Sequence, residues 1–311
     1  MNNMCSYSLW WIIIQRDLYL YQGQADYLRQ QQDYLSRLLR QVLAHTDGKK
    51  EHLSGGIRFL DWPTSEQPDV IHAGLQALTI MALEAGSELL DVLGDSQLSE
   101  ECRDKVREMR LYAPFHENSK QAAALLTLAG LLTPSQGADI ICEGGAEGFS
   151  TFFGYYMLEA LAKAGCYDEA LNIISDYWGG MIDLGATTFW EDFSYRDLHR
   201  AACIDDFVPI GSYDIHQDGG AYCYVGMRLS LCHGWASGPT PWLTRHVLGI
   251  EPVEPGCRKV RVKPHLGRLQ WAEGNFPTPL GTIHVRHERT PDGDITSTID
   301  APEGIQIINN N

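Results

Sequence analysis

Apolar residues recur at helical spacing along most of the chain, from about residue 8 to about residue 248. Side chains three or four residues apart share one face of an α-helix, so each apolar stripe predicts one helix. Trp11, Ile14, Leu18 and Tyr21 form the first stripe. The later helices are predicted at 28–42, 70–93, 100–112, 120–132, 135–142, 147–164, 167–178, 221–231 and 239–248. Roughly ten helices joined alternately by tight turns and longer loops fold either as a solenoid or as a closed ring of helix pairs.

One predicted hairpin, EALAKAGCYDEALNII at residues 159–174, has the small-residue packing of a tetratricopeptide repeat. Such repeats return about every 34 residues, and no other stretch of the sequence matches at that period. The closed ring of helix pairs is therefore favoured over the solenoid. A helical interaction scaffold is kept as an alternative function for the chain.

The sequence pattern changes near residue 251. Pro252, Pro255 and Gly256 break helical structure. Short alternating runs separated by turn residues then follow at 260–262, 269–272, 282–287 and 295–299. Alternation of this kind predicts a small antiparallel, β-sandwich-like domain. The predicted domains are a helical domain at residues 1–250 and a β-domain at residues 251–311.

The composition limits the possible partners. The 311-residue chain has a formal net charge of −16 and a pI near 5.0, which argues against nucleic acid and anionic membranes and suits a neutral substrate. The apolar run Leu9–Ile14 is too short to span a membrane and has no signal-peptide cleavage site after it, so it predicts a core helix and leaves the compartment unknown. The eight cysteines are irregularly spaced, without a CxxC pair, and nucleotide-binding and nucleophile-elbow motifs are absent. Neither a metal nor a cofactor is predicted.

Two adjacent acids, Glu191 and Asp192, stand between Trp190 and Phe193 in the stretch GATTFWEDF. Aromatic neighbours remove water from a carboxylate and raise its pKa, which suits proton transfer, and aromatic walls also stack on sugar rings. The spacing of Thr188 and Glu191 equally fits a capping box at a helix N terminus. The residues alone leave both interpretations open.

Three further stretches contain residues that could bind a ligand. RFLDWP places Asp61 and Trp62 in a loop, because Pro63 disfavours helix at the residue before it. His233 precedes a turn in the stretch HGWASGP. Each of these residues is also compatible with simple packing in the core. YDIHQDGG at residues 213–220 alternates acids with a histidine but lacks the full calcium-loop pattern, so an Asx-rich turn is predicted there.

Taken together, these stretches resemble the bacterial α-L-rhamnosidases of glycoside hydrolase family 78. GATTFWEDF is similar to that family's Thr-Thr-x-Trp-Glu motif, FLDWP to its Asp-Trp loop, and HGWASGPTPWLTRHVLGI to its late histidine motif. GFSTFFGYYMLEALAKAG resembles the hairpin before the base, and EPGCRKVRVKPHLGRL with NFPTPLGTIHV resembles the entry to its C-terminal β-domain. The resemblance covers nearly the whole chain and implies an (α/α)6 barrel with the substrate at its mouth.

The resemblance also implies an activity and a role for each matching residue. The chain is expected to be an inverting hydrolase that removes terminal α-L-rhamnose from rhamnose-containing oligosaccharides or glycosides. Glu191 takes the position of the catalytic base, Trp190 and His233 flank it, and Asp61 and Trp62 form the sugar-binding loop. In an inverting site the two carboxyl groups stand roughly 6.5–9.5 Å apart, with room for the attacking water. Relatives often act in the periplasm or outside the cell.

One family motif has no counterpart in the sequence. The general acid lies in a motif of the form Asp-x-Pro-x-Arg followed by a glutamate, and nothing between Met1 and Asp61 resembles it. The expectation is a chain that starts inside the barrel, lacks the first helix pair and is a fragment. General acid catalysis contributes about 10²–10⁴-fold, so a catalytically dead fragment that keeps part of the sugar cleft is the alternative. Glu143 or Glu147 could replace the acid, although helix N-terminal charge is the simpler explanation for both.

Overall fold

Helical hairpins form the larger part of the structure. The computed structural model describes residues 3–54, 56–212, 214 and 229–309. Over these residues the helices are α1 (Cys5–Gln22), α2 (Ala25–Ala44), α3 (Pro68–Leu93), α4 (Ser96–Met109), α5 (Lys120–Leu128), α6 (Pro134–Cys142), α7 (Gly154–Lys163), α8 (Tyr167–Asp183) and α9 (Pro239–Trp242). A π-helical turn, Leu243–Val247, continues α9. No helix in this part of the chain combines the length and the apolar character needed to cross a membrane.

The helices form an inner and an outer layer. α1 packs on α3, α3 on α5, and α5 on α7, so the odd-numbered helices lie side by side. α2, α4, α6 and α8 pack against the outside of this row. α3 is buried around nearly its whole circumference, whereas α2 and α4 bury a single stripe. Burial on all sides is typical of a helix that faces neighbours in both layers.

The loops that precede the inner helices meet at one end of the inner layer. The loop before α3 contacts the loop before α7 through Asp61 and Ser150. The first residues of α5, Lys120 and Gln121, donate hydrogen bonds to Gly145 and Gly148 of that second loop. This end of the layer therefore gathers residues that are far apart in sequence.

The helix predicted at 147–164 begins seven residues later than expected, at Gly154. Gly144, Gly145 and Gly148 have positive φ angles, which L-residues with side chains disfavour, and the backbone there turns instead of coiling. Most of the helix predicted at 221–231 lies outside the described residues, as does the stretch 213–220 apart from Asp214.

The first predicted stripe forms a helix, but the structure buries a different face of it. Leu9, Trp10, Ile12 and Ile13 are the buried apolar residues of α1, in agreement with the predicted core helix. Ile14 and Leu18 are 56% and 37% exposed. The apolar run is therefore wider than the face that the neighbouring helices cover.

The strands form one short hairpin and two small sheets. The hairpin consists of β1 (Thr46–Asp47) and β2 (Lys50–Glu51), which lie between α2 and α3. One sheet contains β3 (Ile250–Pro252), β4 (Lys259–Val262) and β8 (Gln306–Asn309), and the other contains β5 (Trp271–Thr278), β6 (Gly281–Arg289) and β7 (Ile295–Asp300). All pairs are antiparallel except β4 with β8, which is parallel. The alternate residues Val260, Val262, Ile283 and Val285 form the core between the sheets. The predicted fold class, mainly α with a small β-domain at the C terminus, is confirmed.

Candidate active site

The segment that carries Glu191 is not the start of a helix, so the capping-box interpretation is wrong. Residues 186–194 are irregular, and the next helical residues form a 3₁₀ turn that begins at Tyr195. The Thr188 hydroxyl donates to the Leu231 carbonyl instead of capping a helix. The N–H of Glu191 donates to the Ser230 carbonyl at 2.8 Å. Pairing with the segment at 229–233 thus satisfies polar groups that a helix would otherwise have used.

The carboxylate of Glu191 faces the same neighbouring segment. One oxygen, Oε2, accepts a hydrogen bond from the Ser230 N–H at 2.9 Å. The other, Oε1, lies 3.6 Å from Nε2 of His233. The Glu191 side chain is 13% exposed, so the group reaches solvent while remaining mostly enclosed. The structure therefore brings together the predicted base and its predicted neighbour.

His233 is held in a defined orientation. Its N–H donates to the Phe189 carbonyl at 2.7 Å, and its Nδ1 accepts from the Trp235 N–H at 3.4 Å. Because Nδ1 is an acceptor, the neutral ring carries its hydrogen on Nε2, the atom that faces Glu191. The indole of Trp235 lies against the imidazole, with ring centroids 4.3 Å apart.

The backbone of Glu191 is fixed by two side chains. The Thr151 hydroxyl donates to the Glu191 carbonyl at 2.5 Å, and the indole N–H of Trp235 donates to the same oxygen at 2.7 Å. Two donors on one carbonyl use both of its lone pairs. The residue is consequently positioned through its main chain as well as its carboxylate.

Asp61 is an anchor inside the protein. It is 2% exposed, and its Oδ1 accepts from the Trp62 N–H at 2.9 Å. Its Oδ2 accepts from the Ser150 hydroxyl at 2.5 Å. Burial, helped by the nearby negative charge of Asp192, raises the pKa of Asp61 to about 7 although these hydrogen bonds lower it. The carboxyl group of Asp61 therefore holds its loop against the loop before α7. A direct contact between Asp61 and a sugar stays a prediction.

The two predicted tryptophans differ in their surroundings. Trp62 is half-buried and meets Phe59 edge to face, with centroids 4.8 Å apart. Trp190 is 1% exposed and packs edge to face on Phe193. A ring so deeply buried forms part of the wall behind the site, and stacking it on a sugar would require the residues above it to move. A substrate contact by either tryptophan stays a prediction.

A cavity of about 590 Å³ lies beside the Glu191 segment. Trp190 and Asp192 line one side, and Pro63, Lys120 and Arg196 line others. Burial lowers the pKa of the Lys120 ammonium to about 8. A larger cavity, of about 1050 Å³, is lined by α1, α7, the C-terminal half of α3 and the start of the β-domain, and none of residues 186–194 line it. We therefore place the candidate site at the smaller cavity and the Glu191–His233 pair next to it.

The two possible replacements for a general acid differ in their surroundings. Glu147 forms an ion pair with Arg196, which lines the 590 Å³ cavity, and Glu143 directly follows the last residue of α6. Within residues 3–54, 56–212, 214 and 229–309, no three acids, histidines or cysteines cluster in a way that could hold a metal ion. The alternating stretch at 213–220 lies outside those residues except for Asp214.

Several positioning residues were not predicted from the sequence. Ser150 and Thr151 were interpreted only as part of a helical hairpin, and Ser230 was not considered. Trp235 belongs to the stretch HGWASGP, and the sequence assigns it no role. A pair of hydroxyls after a glycine-rich turn suggests a helix cap, but both hydroxyls donate to distant segments and neither caps α7, so no local signal identifies their role.

Comparison with known proteins confirms the resemblance to the rhamnosidases. Residues 249–307 match the family model for the bacterial alpha-L-rhamnosidase C-terminal domain. An alpha-L-rhamnosidase from Alteromonas sp. (strain LOR) is 31% identical over 124 residues, which are 39% of this chain and 11% of that protein. The chain thus spans only a small part of this relative.

Solved structures show the same fold. The GH78 family rhamnosidase of Bacillus sp. GL1 superposes with a TM-score of 0.75 at 22% identity, covering 97% of this chain and 32% of that one. The Streptomyces avermitilis alpha-L-rhamnosidase, solved in complex with L-rhamnose, gives a TM-score of 0.72 at 18% identity, covering 93% and 28%. The helical layers and the C-terminal sheets together are therefore the fold of these enzymes, and the chain spans about a third of their length.

Proposed function

We propose that this chain is the part of an α-L-rhamnosidase-type glycoside hydrolase that carries the catalytic base. In this proposal residues 1–250 belong to the catalytic barrel, residues 251–311 form a C-terminal β-domain, and the substrate is a glycoside with a terminal α-L-rhamnose. The observation that supports it most is the contact between Glu191 and His233, next to two residues that line the 590 Å³ cavity, on a fold shared with rhamnosidases.

Glu191 is suited to accept a proton from water. Oε2 is engaged by the Ser230 N–H, which leaves Oε1 directed to the side on which His233 lies. A water molecule beside the pair can accept from the Nε2–H of His233 and donate to Oε1, which lies 3.6 Å from Nε2. In an inverting reaction this water attacks the anomeric carbon from the face opposite the leaving group.

The rate of hydrolysis should depend on whether the leaving group of the substrate needs a proton. An alkyl glycoside leaves as an alkoxide and needs a proton from a general acid, whereas a dinitrophenyl glycoside leaves as a stable anion. If this chain provides only the base, it should hydrolyse dinitrophenyl α-L-rhamnoside and be about 10²–10⁴-fold slower than a complete enzyme on alkyl rhamnosides. A chain that hydrolyses both classes equally well contains its own acid.

The test of the base is Glu191→Gln, because the amide keeps the acceptor for the Ser230 N–H and loses the basic oxygen. We expect dinitrophenyl rhamnoside turnover to fall at least about 10²-fold. Glu88→Gln, on the exposed part of α3, is the matched control and should retain turnover. Wild-type turnover in the Glu191 variant would contradict the assignment. Proton NMR of the first product should show β-L-rhamnose, since retention would exclude the inverting mechanism.

The same measurements distinguish the catalytically dead alternative. Calorimetric binding of L-rhamnose to the wild-type chain, without turnover of the activated substrate, would show that the sugar cleft is retained and the chemistry is lost. Absence of both binding and turnover would contradict a rhamnosidase function for this chain.

A further inference from the structure

Three loops of the candidate site meet on three consecutive residues, Ser150, Thr151 and Phe152. These residues form the turn before α7, and we call them the 150–152 turn. Each of its side chains contacts a different segment. The turn is therefore the place where segments far apart in sequence are fixed relative to one another.

The first two contacts are hydrogen bonds from adjacent hydroxyls. Ser150 donates to Oδ2 of Asp61, in the loop that carries Trp62, at 2.5 Å. Thr151 donates to the carbonyl of Glu191 at 2.5 Å. The two acceptors are 89 and 40 residues away from their donors in sequence. One dipeptide thus connects the predicted sugar loop with the predicted base.

The third contact is aromatic. The ring of Phe152 stacks on Trp235, with centroids 5.3 Å apart and planes 10° from parallel. Trp235 in turn donates its indole N–H to the Glu191 carbonyl and lies against His233. The turn therefore supports Glu191 twice, directly through Thr151 and indirectly through Phe152.

The turn itself is enclosed and tied to a helix. Ser150 and Thr151 are 4% and 2% exposed. The N–H of Gly154, the first residue of α7, donates to the Ser150 carbonyl at 2.8 Å. Phe153, directly after the turn, is fully buried in the main core. Because the turn is anchored in this way, it can hold the loops that carry Asp61, Glu191 and Trp235 in fixed positions.

We propose that Thr151, with Ser150, is a positioning residue. The two residues fix the distance between the Glu191 carboxylate and the Asp61–Trp62 loop. The proposal rests on the proposed function for its catalytic consequence, whereas its structural consequence is independent of it. Thr151 is buried, and in this proposal it acts through the main chain of Glu191. Misplacement of a reacting group by about 1 Å can cost roughly 10²-fold in rate.

The experiment compares Thr151→Val with Thr151→Ser. Valine has the shape of threonine without the hydroxyl, whereas serine keeps the donor. Thr79→Val is the matched control, because Thr79 is also fully buried and also donates to a backbone carbonyl, that of Leu75, but lies within α3. All three variants are measured in the full chain by backbone hydrogen exchange, L-rhamnose calorimetry and dinitrophenyl rhamnoside kinetics.

We expect Thr151→Val to raise hydrogen exchange at least about tenfold in the peptide that covers residues 186–194, and to lower kcat by about 10- to 100-fold with KM changed less than about threefold. Thr151→Ser should bring the exchange rate at residues 186–194 and kcat most of the way back to the wild-type values. Thr79→Val should leave the exchange rate and kcat at wild-type values. Unchanged exchange at 186–194 in the valine variant overturns the proposal, whether or not the chain is active. Faster exchange with full kcat also overturns it, because Glu191 would then not need the contact.

A wild-type chain that neither binds rhamnose nor turns over the aryl substrate refutes the proposed function alone, and the exchange measurement still decides the positioning role. If the chain binds rhamnose without turnover, hydrogen exchange at residues 186–194 alone decides the positioning role, and the valine variant should bind L-rhamnose within about threefold of the wild-type affinity.

Discussion

Asp61→Asn should make the protein more stable at neutral pH. Asp61 is 2% exposed, and its carboxyl group accepts hydrogen bonds from the Trp62 N–H and the Ser150 hydroxyl. Burial raises its pKa from 3.8 to about 7. Asparagine has nearly the same shape and carries no charge. Its oxygen can accept from the Trp62 N–H, and its NH2 group can donate to the Ser150 hydroxyl, which can rotate to accept.

The sign follows from the direction of the shift. Because the folded pKa lies above the unfolded value, the folded state binds more protons than the unfolded state between pH 3.8 and about 7. The contribution of Asp61 to stability is therefore complete below pH 3.8 and is lost as the pH rises through 7. The separation of the two pKa values corresponds to a loss of roughly 4 kcal/mol in the free energy of unfolding.

The assay is urea unfolding of the wild-type chain and the Asp61→Asn variant at several pH values from 4 to 8, followed by tryptophan fluorescence. Other groups titrate equally in both proteins, so the difference between their unfolding free energies isolates Asp61. We expect this difference to move in favour of the variant by about 4 kcal/mol between pH 4 and 8. Parallel curves would refute the reasoning, because they would mean that Asp61 ionises as it does in water.

Two further predictions concern residues outside the site. Glu51→Gln should cost about 3 kcal/mol, because the buried carboxylate of Glu51 pairs with Arg58 and His72. Its pKa is lowered to about 2, so the wild-type advantage in urea unfolding should be complete above pH 4.5 and shrink as the pH falls toward 2; an advantage that does not change with pH would contradict this. Gly249→Ala should cost at least about 2 kcal/mol, because Gly249 has φ +68° and an added Cβ would stand 2.2 Å from the Lys263 backbone, and an unchanged melting temperature would contradict that reading.

Periodicity predicted the helices well because most of them bury a continuous stripe. α3 was predicted at 70–93 and spans Pro68–Leu93, since apolar side chains and a glycine C-cap mark both its body and its end. The start of α7 was predicted seven residues too early because Phe149, Phe152 and Phe153 continue an apolar pattern after the backbone has already turned. Periodicity records which side chains are buried, and it does not record whether the backbone between them is coiled.

The candidate site was predictable only in part, for a related reason. The position of Glu191 was suggested by its aromatic neighbours and by the resemblance to a family motif, and the structure places it beside His233. Its contacts with Ser230 and Thr151 depend on how distant segments pack, and no local pattern encodes that. The burial of Asp61 was equally difficult to predict from the sequence. An acid beside a tryptophan in a loop suggests an exposed residue that contacts a ligand, and not a buried residue that anchors the loop.

The adjacent acids in the Glu191 segment have a physical explanation in the irregular backbone. Glu191 directs its carboxylate toward Ser230 and His233, whereas Asp192 lines the 590 Å³ cavity and contributes to the raised pKa of Asp61. In a helix, two consecutive acids would both project from its first turn, toward the same helix N terminus. In the irregular segment they serve two different environments, one beside an imidazole and one beside the buried carboxyl group of Asp61. The negative charge of Asp192 disfavours a second negative charge on Asp61, and in this way it adds to the effect of burial on the pKa of that carboxyl group.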